Sequence, residues 1–196
     1  MAIDPVQGSL LSAMIRIPSR ATTSLLALLL ACASCSSVDP EEKLQRANEA
    51  LDRGEWDAAI LDYTGILGRD PGSVRAWNNR GVCRLQKSDL DGAISDFDQC
   101  LKLVPDYAEA YYNRATARLR RGDSDGAVAD YGEALRLNPQ YGKAFAGRGL
   151  ARSRKSDLAG AASDLKQALE VSPTDWPDRL AVEAELVRVL RLRDGK

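Results

Sequence analysis

The stretch Ala108–Tyr141, AEAYYNRATARLRRGDSDGAVADYGEALRLNPQY, decides the architecture because small and apolar residues return at helical spacing twice, on either side of Gly122-Asp123. Tyr111, Ala115 and Leu119 recur every four residues in the first half, and Ala127, Tyr131, Ala134 and Leu135 recur at three and four in the second. Each half is therefore expected to be a helix with one buried stripe. Glycine suits a left-handed exit from the first helix, and a serine or aspartate after it can cap the free amides of the second. Pro139 then ends the second helix, because proline has no backbone donor to continue the ladder.

The same pattern runs from residue 40 to residue 175. Pro71, Pro105, Pro139 and Pro173 stand 34 residues apart, with Ile60, Ile94, Val128 and Ala162 eleven residues before them. Ala59, Ala93, Ala127 and Ala161 come one residue earlier still, and Tyr63, Phe97, Tyr131 and Leu165 lie eight before the prolines. Agreement at a fixed period marks stacked supersecondary units, none of which buries its apolar face alone. Small residues at Ala115, Ala127 and Ala134 fit the closest helix crossings, where a bulky replacement would overpack by about 1–3 kcal/mol.

Composition narrows the function. With 44% hydrophobic residues the chain is of the folded class, and a net charge of -1 provides no basic stripe for nucleic acid. There is no histidine, which removes the commonest general base and metal ligand, and with them any Ser-His-Asp or Cys-His arrangement. The carboxylates fall on repeated places, and no phosphate loop or nucleophile motif stands out. The expectation is a non-enzymatic protein with no cofactor and no metal site. Four cysteines are too few and too uneven for a disulfide scaffold.

The N-terminal segment reads differently. Arg16 and Arg20 precede the apolar run Leu25–Ala31, and small residues and Cys32 follow, which is the anatomy of an export signal. The run is well short of the ~20 residues a spanning helix needs. Met14 is a second candidate start, leaving a compact charged flank. Leu29-Leu30-Ala31-Cys32 resembles a bacterial lipobox, which implies lipidation of Cys32, with Cys35 as the alternative. The residue after either cysteine, Ala33 or Ser36, is not aspartate. For lipoproteins of a two-membrane bacterium that implies anchoring in the outer membrane facing the periplasm; the alternative is a secreted or soluble periplasmic protein. A Cys32-x-x-Cys35 redox or zinc pair lacks the surrounding pattern or further ligands. The expected organisation is a signal segment at 1–35, a tether at 36–39, repeats at 40–73, 74–107, 108–141 and 142–175, and a capping helix and tail at 176–196.

With its 34-residue pair of helices, the unit resembles the tetratricopeptide repeat. The resemblance implies an all-α fold, a right-handed α-solenoid of four helix pairs whose first helices line a concave groove. The first unit departs most, with Lys43 where the next two have Trp77 and Tyr111, and Ile66 where the third has Ala134, as suits a terminal unit. After Trp176-Pro177-Asp178 a helical stretch to about residue 193 reads as a cap or as the first helix of a degenerate fifth unit.

Two rows of residues follow from the period. Arg46, Arg80, Arg114 and Arg148 share the seventh place, Arg84, Arg118 and Arg152 the eleventh, and Asp62, Asp96, Asp130 and Asp164 the twenty-third. An Arg–Asp ladder joining first and second helices is expected, against the alternative of an arginine surface for an anionic ligand. The resemblance places Arg75, Asn78, Asn79 and Val82, then Glu109, Tyr112, Asn113 and Thr116, then Lys143, Ala146, Gly147 and Leu150 on the inner face. In related arrays an asparagine at the sixth place, here Asn79 and Asn113, bonds the backbone of an extended peptide. Their joint replacement by alanine is thus expected to weaken partner capture and leave thermal stability nearly unchanged. The basic clamp that holds acidic C-termini in some tetratricopeptide domains is absent, since Leu44, Glu109 and Asn113 stand where it needs cations. Cys83 and Cys100 read as buried core residues. Spacing alone gives no role to Gly92, Gly126 and Gly160, which share the nineteenth place.

The expected function is a membrane-anchored, exported adaptor that binds a protein or peptide in its concave groove. The alternative is an envelope assembly factor that acts through self-association or its convex face.

Overall fold

The computed structural model describes residues 40–195. The expected signal segment, the candidate start at Met14, the lipidation candidates Cys32 and Cys35 and the expected tether lie outside the described residues.

Helices form where the period puts them. They are α1 (Pro40–Asp52), α2 (Trp56–Leu67), α3 (Val74–Gln86), α4 (Leu90–Leu103), α5 (Ala108–Arg121), α6 (Ser124–Leu137), α7 (Gly142–Arg154), α8 (Leu158–Val171) and α9 (Arg179–Arg193). Among the described residues there is no strand. Each helix packs on the one before and after it, and every first helix also touches the first helix of the next pair. The result is a solenoid of four helix pairs. α9 lies on α8 and reaches α7, so it has the neighbours of a fifth first helix and closes the stack as a cap. No described helix is long and apolar enough to cross a membrane.

The small residues sit at the crossings. Ala115, Ala127 and Ala134 are fully buried, as are their repeats Ala59, Ala93 and Ala161. Their short side chains let backbones approach while Tyr63, Phe97 and Leu165, all buried, fill the space between each pair and the next. Burying one such large side chain stabilises by about 1.5–3 kcal/mol. Cys83 and Cys100 are free and buried in the same core, and burial pushes both thiols up to about 11, which keeps them protonated and unreactive at neutral pH.

The turns explain the glycines of the nineteenth place. Asp89, Asp123 and Asp157 cap the second helices by accepting from the amides of Gly92, Gly126 and Gly160 at 3.1, 2.9 and 2.9 Å. A Cβ on those glycines would lie 2.1, 2.4 and 2.2 Å from the capping carboxylate, so a side chain there would push the cap aside. In the first unit the two changes come together: Glu55 makes no cap bond, and Ala58 stands in the glycine's place. The residue before each aspartate turns left-handed: Gly122 at φ 96°, but also Ser88 and Ser156 at φ 64°.

The Arg–Asp rows form the expected ladder. Each seventh-place arginine makes a two-pronged bond to the aspartate of its own unit: Arg46–Asp62 at 2.7 and 2.5 Å, Arg80–Asp96 at 2.9 and 2.7 Å, Arg114–Asp130 at 2.8 and 2.7 Å, Arg148–Asp164 at 2.9 and 2.8 Å. Arg84, Arg118 and Arg152 add a second cation to the same carboxylates at 2.9, 2.8 and 2.9 Å. Trp77, Tyr111 and Phe145 cover the guanidinium groups of Arg80, Arg114 and Arg148 at 4.8, 5.4 and 5.6 Å. The first unit has Lys43 in place of that ring, and the Arg46 side chain is 55% exposed against 9% for Arg80. The ladder fixes register between helices, and its interior rungs are desolvated charges that need each other.

Candidate functional site

The inner face is built by the first helices and has two unlike halves. In the first, asparagines hydrogen-bond across the units. The Tyr63 hydroxyl donates to Asn48 Oδ1 at 2.7 Å, and Asn79 Nδ2 donates to the same oxygen at 3.1 Å and to the Tyr63 hydroxyl at 3.3 Å. Asn78 Nδ2 donates to Asn79 Oδ1 at 3.3 Å, and Asn113 Nδ2 donates to Asn78 Oδ1 at 3.2 Å. Burial pushes the Tyr63 phenol up to about 12, so it stays a neutral donor.

This network corrects the expected groove row. Asn78 is 2% exposed and its amide is spent on neighbours, so it offers no surface to a ligand. Asn79 uses both its donor and its acceptor inside the protein. Its replacement must therefore cost stability, contrary to the expectation from the sequence. Asn113 commits its donor to Asn78 and keeps an oxygen with no partner among the described residues. Arg75 is exposed, and Val82 is half-buried against Phe97 and Leu85.

The second half opens. At the sixth place of the fourth unit Gly147 replaces the asparagine, and a Cβ there would lie 2.4 Å from Cζ and 2.7 Å from the hydroxyl of Tyr131. The missing side chain lets the Tyr131 ring lean into the groove. Its hydroxyl lies 3.0 Å from Thr116 Oγ1, which itself donates to the Tyr112 carbonyl at 2.9 Å. Tyr112 packs against Tyr131 and Tyr141 with ring centroids 5.8 and 5.0 Å apart. Burial raises the phenols of Tyr131 and Tyr112, leaving both as neutral donors.

Beside these rings lies a cavity of about 480 Å³. Its apolar wall is Tyr112, Tyr131, Leu150, Leu165, Trp176 and Val182, and its charged rim is Lys143, Arg120, Arg154, Asp178 and Glu185. Three of the residues expected to bind a peptide, Tyr112, Thr116 and Lys143, meet here, together with Ala146, Gly147 and Leu150 of the same inner face. Arg75, Asn78, Asn79, Val82 and Asn113 do not line it. The reading from sequence missed the far wall, Trp176 and Val182, because Trp176-Pro177-Asp178 breaks the period. It also missed Arg120 and Arg154, which share the thirteenth place and were legible as a row 34 residues apart. Among the described residues no cluster of acids and cysteines is arranged to hold a metal ion.

Comparison with known proteins agrees with this architecture. Tetratricopeptide-repeat models match residues 44–108 and 108–141, together half of the chain. No curated protein sequence matches it. Among solved structures, a crystal structure of MamA is similar at a TM-score of 0.67 and 23% identity, over 72% of this chain and 82% of that one. The first tetratricopeptide domain of Spaghetti (RPAP3) bound to the HSP90 peptide SRMEEVD is similar at 0.58 and 25%, over 62% and 93%. The tetratricopeptide domain of Sgt2 from Aspergillus fumigatus is similar at 0.58 and 25%, over 62% and 79%. The 34-residue beat, the paired helices and these matches lead to one conclusion: the chain belongs to the tetratricopeptide repeat family.

Proposed function

We propose that the protein is an exported, membrane-anchored adaptor that holds a segment of another protein in the second half of its concave face. The carrying observation is the cavity between α5, α7 and α9, apolar within and polar at its rim, which is the form of a preformed binding site. A preformed groove loses little ordering entropy when it receives a partner. The RPAP3 domain, similar in fold, is bound to a peptide. Leu29-Leu30-Ala31-Cys32 supports the anchor, and with it an outer-membrane position facing the periplasm.

Site-specific photocrosslinking in intact cells tests the groove. A photoreactive residue at Leu150, inside the cavity, should capture a discrete partner, whereas one at Leu61, 73% exposed on α2, should not. Equal capture at both positions removes the groove from the function. Radiolabelled palmitate should enter the chain and be lost in Cys32→Ala; retention in that variant and loss in Cys35→Ala moves the anchor to the second cysteine.

One feature favours the alternative of assembly by self-association. α9 carries Leu180 and Val187 outward, 79% and 48% exposed, at the end of the stack. Light scattering of the delipidated protein distinguishes the two, since self-assembly raises the mass above that of the monomer.

A further inference from the structure

We propose that the cavity takes an acidic peptide segment with one bulky apolar side chain, the side chain entering between Tyr112, Leu150 and Trp176 and the acids meeting Lys143, Arg120 and Arg154. This rests on the adaptor reading and names the chemistry of the partner at that site.

Cations outnumber free acids at the rim of the cavity. The cations of the ladder and of the inter-unit turns are spent: the seventh- and eleventh-place arginines on their ladder aspartates, and Lys87, Arg121 and Lys155 on Asp57, Asp91 and Asp125 of the preceding unit. The cavity cations are not. Lys143 has no acid partner among the described residues. Arg120 donates only to neutral groups, the Leu85 carbonyl at 2.7 Å and Ser88 Oγ at 3.0 Å, and Arg154 only to the Leu119 carbonyl at 2.7 Å. Those bonds hold the two guanidinium groups over the last turns of α3 and α5, whose partial negative charge offsets only part of each cation. Arg154 is also close enough to act electrostatically on the Tyr131 hydroxyl, which places its charge at the mouth.

Against these three cations stand two carboxylates, and Arg188 takes one of them, Glu185, at 2.6 Å. Asp178 is left, near Tyr112. An unbalanced positive rim around an apolar, low-dielectric cavity attracts an anion whose body is apolar, and it repels a basic ligand. The volume of about 480 Å³ falls within the range of about 300–1,000 Å³ usual for ligand sites. The cations differ from those of the clamp for acidic C-termini, whose places hold Leu44, Glu109 and Asn113 here.

Isothermal titration of the full chain with three synthetic peptides tests this: acetyl-DEWDE-amide, acetyl-DEADE-amide and acetyl-KRWKR-amide. The first should bind at least tenfold more tightly than either of the others. Lys143→Glu, at an exposed position whose loss leaves the fold intact, should weaken it about tenfold, and Asp178→Asn should tighten it two- to threefold. Raising the salt should weaken the first peptide most. Binding of the basic peptide as tightly as the acidic one, no binding of any peptide, or an unchanged affinity in Lys143→Glu overturns the proposal. Crosslinks from Leu150 without peptide binding leave the adaptor standing and remove its acidic specificity; peptide binding without crosslinks does the reverse.

Discussion

The two halves of the inner face share one frame and present opposite surfaces. Between α1 and α5 the groove is paved with amides that satisfy each other, from Asn48 through Asn79 and Asn78 to Asn113. Between α5 and α9 the sixth-place side chain is missing at Gly147, Tyr131 occupies its space, and a cavity opens with cations in excess of acids at its rim. A repeat array can thus seal one stretch of its groove and leave another open by changing the sixth-place residue, because the ladder and the alanine crossings carry the fold in both. A buried amide that has found partners is costly to disturb and has little left to offer a ligand.

The largest effect should come from the frame itself. Asp96→Ala leaves Arg80, with a 9% exposed side chain, without its carboxylate, and breaking a buried pair in this way costs about 3–5 kcal/mol. Asp130→Ala in the open half should cost less, because Arg114 keeps a second acid, Asp98, at 2.6 Å. Urea unfolding of the two variants measures the difference. Equal losses would mean that Asp98 contributes nothing and that the halves do not differ in their frame.

Next comes the residue that separates the halves. Gly147→Asn restores the sixth-place amide in the fourth unit, and its Cβ must enter the space of the Tyr131 ring. Overpacking there should destabilise by about 3 kcal/mol and abolish any ligand held in the cavity. A stable variant that still binds would show that Gly147 is not what opens the groove.

The reciprocal change is smaller. Asn79→Ala removes the acceptor of Asn78 Nδ2 and a donor to Asn48 and Tyr63, leaving the buried Asn78 Nδ2 unpaired at about 1–2 kcal/mol. The cavity lies elsewhere, so affinity there should stay unchanged. A loss of binding with full stability would return the asparagines to the recognition surface.

Much of this was legible in the sequence, for a physical reason. Prolines, crossing alanines and the Arg–Asp rungs each answer to one local requirement that recurs every 34 residues, so their places repeat and can be read. The glycines of the nineteenth place repeat too, but their reason, a carboxylate docked on the backbone, is three-dimensional and left no mark in spacing. The cavity was half legible. Tyr112, Thr116 and Lys143 fell to the inner-face places, whereas Trp176 and Val182 come from the segment where the period stops. Asn78 shows the opposite error: a polar residue on an inner-face place reads as surface, and only the position of Asn79 and Asn113 on either side reveals that it is sealed.

The smallest effect tests how much backbone strain each half carries at its turns. Ser88 and Ser156 hold the same left-handed conformation, which costs a residue with a Cβ about 1–2 kcal/mol. Glycine relieves that strain but loses more chain entropy on folding, so Ser156→Gly should stabilise by about 0.5 kcal/mol. Ser88→Gly should gain less, because the Ser88 hydroxyl accepts from Arg120 at 3.0 Å and the Ser156 hydroxyl has no partner among the described residues. The Ser88 change also frees one arm of a guanidinium at the cavity rim. It should therefore alter the affinity for acetyl-DEWDE-amide slightly, while Ser156→Gly leaves it as it was. A stability gain at Ser88 equal to that at Ser156 would mean that the Arg120 bond is worth nothing in water, and that this arginine is held over α3 by its bond to the Leu85 carbonyl alone.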